Sequence, residues 1–190
     1  VQAVGGGPGP IGVGAMARRL GRAGSREGGT RMHLVQNDTH APVHRAWSAG
    51  RRRLEAGDLP AGPVDAYADV LVNRAPALGV QGGLFDLLTE TDGTTRTVAQ
   101  AEAVRARDQF AALEGVDVMA APAVALAGLA DAVRVGDIGR GDPVLLAVTG
   151  GGVDHLAADV DLHPPDQVLT VPRGAAVTEV AAEIRDRLHD

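Results

Sequence analysis

The sequence contains no lysine, and all 18 of its Lys-or-Arg positions are arginine. Cysteine is also absent, so the chain can form neither a disulfide nor a thiolate metal site. Aromatic residues are scarce, with one Trp, one Tyr and two Phe, so a buried core must be built mainly from Ala, Val and Leu. A reaction that depends on a lysine amine therefore has to obtain it from outside these 190 residues.

Charge and hydropathy exclude several other classes of protein. The net charge of −6 argues against a surface that binds nucleic acid. No apolar run approaches the roughly 18 residues that a membrane-spanning helix needs, so we expect no membrane partner. No secretory leader opens the chain, and we expect a cytoplasmic protein. The six histidines are scattered without a third ligand beside any pair, so we expect no metal site.

The order of the predicted elements indicates an α/β fold with a largely parallel, twisted sheet flanked by helices. We predict strands over 1–4, 31–36, 116–119, 143–148 and 167–171, and helices over 11–22, 42–47, 84–88, 98–113, 122–135 and 175–188. Residues 1–162 form the main α/β portion in this interpretation, and 163–190 form a C-terminal strand–helix extension. The predicted first strand runs straight into a loop. One interpretation is a short first strand of a doubly wound domain, and the other is that an upstream half is encoded separately or has been cut off.

Four further predictions concern short parts of the chain. Thr97 and Gln100 form a capping box that starts the helix over 98–113. The apolar segment 143–148 is a buried parallel strand. Residues 50–63 are rich in Arg, Gly and Pro and form the best candidate for a mobile loop, and the arginines at 51–53 form a solvated run.

A glycine-rich loop follows the first predicted strand and leads into the first helix. Backbone N–H groups at such a helix start point toward an anion, and glycine lets that anion approach closely. Pro8 and Pro10 have no N–H and stiffen the loop without donating. The expected donors are Gly5, Gly6, Gly7 and Gly9.

The loop alone leaves three interpretations open. It is similar to a dinucleotide-binding fingerprint, but Pro10 stands where the third glycine belongs, and the possible ribose ligand Asp38 comes late. A phosphate-binding P-loop is excluded because no Gly-Lys-Ser/Thr follows. A purely structural turn is the third interpretation.

A second glycine-rich turn, 149–152, follows the apolar segment 143–148. Ligands of parallel sheets bind where strands end, so this turn is a second candidate site. The hydroxyl of Thr149 can exchange a hydrogen bond with a ring nitrogen there.

Several motifs in order resemble the C-terminal half of the fold-type-II pyridoxal-phosphate enzymes. The similarity covers residues 1–162 and is strongest to the threonine synthase branch, and within it to cysteate synthase. The motifs that carry it are Val4-Gly5-Gly6-Gly7-Pro8-Gly9-Pro10-Ile11, Gln36-Asn37, Val72-Asn73-Arg74, Gly82-Gly83-Leu84-Phe85-Asp86, Glu114-Gly115-Val116, Ala121-Pro122-Ala123 and Thr149-Gly150-Gly151-Gly152.

The resemblance implies pyridoxal 5'-phosphate as cofactor and assigns roles to the two glycine-rich segments. The residues Gly5, Gly6, Gly7 and Gly9 hold the cofactor phosphate, Thr149 contacts the pyridine nitrogen, and Gly150 is a further cofactor-binding residue. A neutral hydroxyl at that nitrogen suits β- and γ-elimination and replacement. The family's cofactor-binding lysine lies upstream of residue 1, so a second chain is expected to supply it.

A cysteate synthase-like reaction displaces phosphate from an O-phospho-amino acid, phosphoserine, with sulfite. Such a small anionic substrate favours nearby cationic or imidazole groups, and the weak candidates are Arg74, His40 and His155. Two alternatives stay open. The first is a non-catalytic regulatory subunit that binds pyridoxal phosphate, and the second is a small nucleotide-binding domain.

Overall fold

The computed structural model of the chain describes residues 1–23, 29–161, 169–172 and 174–187. The chain divides into two compact units, Val1–His155 and Leu156–Asp190. The first unit contains the sheet and both glycine-rich segments, and the second contains the C-terminal helix. The sequence-based division after residue 162 falls at the edge of the undescribed range 162–168 and stays a prediction.

Three short strands form a parallel sheet in the order β1–β2–β3. They are β1 (Gln2–Ala3), β2 (His33–Asn37) and β3 (Thr94–Val98), and both strand pairs run parallel. The central strand β2 is buried along its whole length. The parallel sheet and its flanking helices confirm the α/β class that the sequence predicts.

The described residues also form seven α-helices and two 3₁₀ turns. The α-helices are α1 (Pro8–Arg22), α2 (Pro42–Ser48), α3 (Leu84–Glu90), α4 (Gln100–Glu114), α5 (Ala120–Arg134), α6 (Val153–Asp159) and α7 (Val177–Arg187). The 3₁₀ turns are Ala56–Asp58 and Asp69–Leu71. No helix in the described ranges is both long and apolar enough to cross a bilayer.

The core lies on both faces of the sheet because successive strand residues point to opposite sides. Leu34 packs on one face in a cluster with residues of α2 and α3. Val35 packs on the other face against α5. Gly128 of α5 permits this contact, because a Cβ there would lie 2.4 Å from a methyl carbon of Val35. Both faces of β2 are therefore covered, as parallel sheets require.

The start of α4 corrects one prediction. Residues 94–98 form β3, so Thr97 lies in a strand and does not cap a helix. The helix begins at Gln100, and the backbone N–H of Ala99 donates to the carboxylate of Glu102 at 2.9 Å. In return the N–H of Glu102 donates to the carbonyl of Ala99 at 3.0 Å, so residues 99 and 102 form the reciprocal pair. This pair comes two residues after the predicted one, because Thr97 pairs with β2.

The segment 143–148 extends the sheet without forming an assigned strand. The nitrogen of Val1 donates to the carbonyl of Leu145 at 2.7 Å, and the N–H of Ala147 donates to the carbonyl of Val1 at 3.0 Å. This alternation around one residue is the pattern of parallel strands. The predicted burial is wrong, since Leu145 is 73% exposed and nothing in the described residues covers it.

Two smaller predictions of strands have different outcomes. The segment 116–119 forms only an isolated bridge, between Val118 and Gly151, instead of a strand. The predicted strand over 167–171 lies partly outside the described residues, and residues 169–172 adopt no regular structure.

The arginine run at 51–53 is only partly solvated. Arg51 makes two hydrogen bonds of 2.7 Å to the carboxylate of Asp58, which is 3% exposed. The Arg51 guanidinium lowers the pKa of Asp58, because the two hydrogen bonds favour the carboxylate. Arg52 pairs with Asp86 at 2.7 Å. The segment 50–63, the best candidate for a mobile loop, contains these ion pairs and the 3₁₀ turn Ala56–Asp58, and its mobility stays a prediction.

Candidate functional site

The glycine-rich loop connects β1 to α1 at the carboxyl end of the sheet. The N–H of Val4 continues the strand by donating to the carbonyl of Val35 at 2.9 Å. Gly7 then turns the chain into α1 with φ of 104°, a left-handed conformation that favours glycine. Helix α1 begins at Pro8, where the missing N–H of proline costs no hydrogen bond.

The amides of this loop have no acceptor in the described part of the chain. Every other N–H near the helix start is used or absent, because Ile11 donates to the carbonyl of Gly7 and two prolines have no N–H. Gly7 is also buried, and a buried backbone N–H is normally hydrogen-bonded, but no described residue accepts from this one. The four free donors are the N–H groups of Gly5, Gly6, Gly7 and Gly9.

The segment 71–77 packs closely on this loop. A Cβ on Gly5 would lie 3.0 Å from the carbonyl oxygen of Leu71, and a Cβ on Gly6 would lie 2.9 Å from Nδ2 of Asn73. The N–H of Ala77 donates to the carbonyl of Gly6 at 2.8 Å. The loop is therefore held against segment 71–77 while its amides have no acceptor among the described residues, and a larger residue at Gly5 or Gly6 would alter its shape. This arrangement fits a phosphate group.

The second glycine-rich turn lies at the same end of the sheet. Segment 143–148 and β1 run parallel, so Thr149 and the glycine loop both follow carboxyl ends of parallel segments. Residues 117–119 hold this turn in place, because the N–H of Met119 donates to the carbonyl of Gly150 at 3.1 Å. The N–H of Gly152 donates to the carbonyl of Asp117 at 3.0 Å. Thr149 itself is exposed and available to a ligand.

A buried polar network supports the strand ends behind the glycine loop. The side chain of Gln36 donates to the carbonyl of Val4 at 3.2 Å and accepts from the N–H of His44 at 3.0 Å. Nδ1 of His44 lies 2.9 Å from Oγ1 of Thr95. Burial is the main cause that lowers the pKa of His44, a hydrogen bond to the backbone of Thr95 raises it, and the charge of Arg45 lowers it further. The imidazole of His44 is therefore part of the frame that holds the loop, and its burial favours the neutral form.

The three weak substrate candidates lie in different surroundings. His40 is 1% exposed, and its Nε2 lies 2.9 Å from the carbonyl of Asn73. Arg74 is exposed and donates to the carbonyls of Pro60 and Gly62. The side chain of His155 is 65% exposed, and its Nδ1 lies 3.9 Å from the carboxylate of Asp117. Their roles toward a substrate stay predictions.

Asn73 received no role from the sequence, although it belongs to the motif Val72-Asn73-Arg74. Its side chain lies beside Gly6, while the neighbouring Arg74 is directed to a different loop. The signal was the motif itself, but spacing alone could not show which of the two residues faces the glycines.

Comparison with known proteins identifies the family. The family model described as "Pyridoxal-phosphate dependent enzyme" matches residues 1–150. The chain is 39% identical over 177 residues to the cysteate synthase of Methanosarcina acetivorans, covering 90% of this chain and 42% of that protein. It is 41% identical over 192 residues to the cysteate synthase of Methanoculleus marisnigri, covering 97% of this chain and 44% of that protein. The chain thus spans less than half the length of these relatives.

Solved structures agree with this at the level of the fold. The T.th. threonine deaminase superposes with a TM-score of 0.56 at 18% identity, covering 86% of this chain and 44% of that one. A fungal L-serine ammonia-lyase from Rhizomucor miehei gives a TM-score of 0.58 at 19% identity, covering 82% of this chain and 47% of that one. The sheet, its helices and the loop between β1 and α1 belong to a known architecture.

Proposed function

The chain belongs to the pyridoxal-phosphate-dependent enzymes of fold type II, and we propose that it forms the cofactor-phosphate half of a cysteate synthase-like enzyme. In this proposal the lysine that binds the cofactor covalently comes from a second half outside these residues. That half is a partner chain, or the rest of a longer polypeptide. The single observation that carries the proposal is the glycine loop with four free amides on a chain that has no lysine.

Three findings support the assignment of the loop to the cofactor phosphate. The family's cofactor is pyridoxal 5'-phosphate, as the sequence analysis predicted. The loop opens the longest helix on its face of the sheet, and a helix N-terminus with free N–H groups favours a dianion. Its conformation is set by Gly7 and by the packing of segment 71–77, so little ordering is needed when the phosphate binds.

The residues of this chain would hold and orient the cofactor. The N–H groups of Gly5, Gly6, Gly7 and Gly9 would bind the phosphate, and the hydroxyl of Thr149 would hydrogen-bond the pyridine nitrogen. A neutral hydroxyl would leave that nitrogen without a proton. When bound, pyridoxal phosphate supplies the electron sink that stabilises negative charge on the substrate's carbon. These residues supply position and electrostatics, and the second half supplies the amine.

The proposed reaction is β-replacement on an O-phospho-amino acid, with phosphoserine and sulfite as the substrates. Identities of 39% and 41% to two proteins named cysteate synthase support this choice over an elimination reaction. The candidates for contacts with the anionic substrate are still Arg74, His40 and His155.

Reconstitution with and without the lysine-bearing half tests the proposal. We expect the assembled protein to gain a visible absorption band with pyridoxal phosphate and to form cysteate from phosphoserine and sulfite. This chain alone should show neither, because it has no lysine. The mass of the native protein distinguishes a partner chain from a longer polypeptide.

Two results would overturn the proposal. Covalent cofactor binding by this chain alone contradicts the missing amine, and tight binding of a nucleotide in place of pyridoxal phosphate contradicts the cofactor. Cofactor binding by the assembled protein without any replacement activity would instead support the non-catalytic, regulatory alternative.

A further inference from the structure

The side-chain amide of Asn73 lies against the glycine loop. Its Nδ2 would be 2.9 Å from a Cβ on Gly6, and Asn73 is only partly exposed. Few other polar side chains come this close. Nε2 of Gln2 lies near Gly9, but no hydrogen bond with a described residue fixes the orientation of the Gln2 amide.

Hydrogen bonds fix which atom of Asn73 faces the loop. The N–H of Ala75 donates to Oδ1 of Asn73 at 2.8 Å, so Oδ1 is the acceptor and Nδ2 is the end beside Gly6. Nδ2 carries two hydrogens, and within the described ranges neither has an acceptor. A side-chain donor without an acceptor is therefore held next to a cluster of backbone donors that also lack acceptors.

The backbone at Asn73 is held equally firmly. Its carbonyl oxygen lies 2.9 Å from Nε2 of His40, and because a carbonyl can only accept, His40 is the donor. His40 is 1% exposed, so the imidazole cannot swing away without opening the core. The N–H of Ala77 ties the far end of the same segment to the carbonyl of Gly6. The position of Asn73 relative to the loop is thus fixed on both sides.

Two of the backbone donors that a helix start normally offers are missing from this loop. Pro8 and Pro10 remove two N–H groups from the first turn of α1. The nearest arginine in sequence to Asn73 does not replace them, because Arg74 donates to the carbonyls of Pro60 and Gly62. An anion on the loop therefore has backbone donors but no side-chain cation from this segment.

We infer that Nδ2 of Asn73 donates a hydrogen bond to the phosphate group held by the amides of Gly5 to Gly9, and that His40 is a positioning residue for Asn73. The inference rests on the proposed function, since it names a further ligand of the same phosphate. It also gives buried His40 a role different from the substrate contact expected from the sequence.

The assignment is tested by comparing two cofactors in the assembled protein that contains this chain and its lysine-bearing half. Asn73→Asp keeps an oxygen for the N–H of Ala75 but replaces the donor with a negative charge. We expect its dissociation constant for pyridoxal phosphate to rise about ten- to a hundredfold, the range for a lost hydrogen bond to a charged acceptor. The dissociation constant for pyridoxal, which has no phosphate, should stay unchanged.

Two further variants separate a specific contact from a folding defect. Asn73→Ala should weaken pyridoxal phosphate binding by a smaller factor, since it removes the donor without adding charge. Gln109→Glu makes the same amide-to-carboxylate change on the exposed surface of α4, away from the glycine loop, and should leave both dissociation constants unchanged. Thermal unfolding of each variant shows whether the fold is retained.

His40 is tested through the same cofactor preference. His40→Gln keeps a side-chain N–H that can reach the carbonyl of Asn73, and His40→Leu removes it. We expect the His40→Gln variant to retain most of the preference for pyridoxal phosphate over pyridoxal, and the His40→Leu variant to lose it. Equal preferences in the two variants would remove His40 from the inference.

The outcomes distinguish this inference from the proposed function. If the wild-type protein prefers pyridoxal phosphate to pyridoxal and Asn73→Asp keeps that preference, the role of Asn73 is wrong and the proposed function stands. If Asn73→Asp weakens both cofactors equally, the side chain is structural and the inference is also overturned. If the wild-type assembly binds neither cofactor, the proposed function itself fails.

Discussion

At the scale of single residues, Gly7 shows how one backbone angle determines the candidate site. Its φ of 104° is strained for any residue with a Cβ, and a Cβ there would also lie 2.9 Å from two side-chain carbons of Leu84. We expect Gly7→Ala to cost roughly 1–3 kcal/mol of folding free energy, the range for strained backbone positions. Displaced amides should also weaken pyridoxal phosphate binding, measured by titration of the assembled protein.

Gly12, in the helix that follows Gly7, is the matched control for Gly7. A Cβ on Gly12 meets nothing within 4 Å, and the residue lies on the exposed side of α1. Gly12→Ala should therefore stabilise the protein by about 0.5–1 kcal/mol through helix propensity and leave cofactor affinity unchanged. Equal losses of affinity in Gly7→Ala and Gly12→Ala would mean that the loop conformation does not determine cofactor binding.

His33 makes a separate prediction about pH. It is 5% exposed at the start of β2, and its pKa is lowered from 6.5, first by burial and then by the charge of Arg31. The unfolded chain therefore binds a proton at a higher pH than the folded chain does. Stability should be full above about pH 6.5 and should fall as the pH drops below it toward the lowered pKa of the folded state.

Urea denaturation of the assembled protein between pH 5 and 8, roughly, measures this dependence. His33→Gln should flatten the slope below pH 6.5, the ordinary histidine pKa, although a shallower slope should persist because the pKa of His44 is lowered too. A wild-type protein whose stability rises as the pH falls through this range would contradict the prediction.

At the scale of elements, α5 and β2 approach each other closely through Gly128. A Cβ there would lie 2.4 Å from one methyl of Val35, which is fully buried. We expect Gly128→Ala to cost about 1–3 kcal/mol of unfolding free energy through overpacking, despite the better helix propensity of alanine. Chemical denaturation of the assembled protein gives this value.

A double-mutant cycle with Val35→Ala tests whether the cost arises at this contact. In the smaller Val35→Ala background, Gly128→Ala should cost less than it does in the wild type, because the space that a Cβ needs has been opened. Additive costs would show that overpacking against Val35 is not the cause.

The helices and strands also show which parts of the fold the sequence patterns predict and which they do not. The long helices and β2 were predictable because their apolar residues repeat at helical or strand spacing over several positions. Strand β3 was missed because Thr97 also suits a helix cap, and only pairing with β2 decides between the two. The buried partner of Arg51 was missed because the contact to Asp58 joins residues that no periodicity relates.

The candidate site was predictable to the same extent. The glycines could be predicted because a loop between a strand and a helix gives backbone donors whatever the rest of the fold does. Asn73 and His40 could not, because their position beside the loop depends on how segment 71–77 crosses it. Side chains brought together by the fold carry little signal in a single sequence.

At the scale of the whole molecule, the outer edge of the sheet exposes apolar side chains on an extended segment. The extended segment 143–148 forms hydrogen bonds to Val1 on one side, while Leu145 is 73% exposed and Val148 is 47% exposed. An exposed apolar segment at a sheet edge is a site where another chain adds. Because this chain spans 42% of a related cysteate synthase, the remaining half is the partner we expect at this edge.

Leu145→Asp tests this expectation against a matched control. A carboxylate at the edge should weaken association of the two halves by about tenfold or more, since an apolar contact is lost and a charge is desolvated. Leu113→Asp on α4 introduces the same change at a side chain with the same 73% exposure and should leave association unchanged. Sedimentation of the mixed halves, or thermal unfolding if both lie on one polypeptide, gives the measurement. Equal effects of the two variants would mean that the edge at 143–148 is an ordinary surface, and the lysine-bearing half would then have to approach the glycine loop from another side.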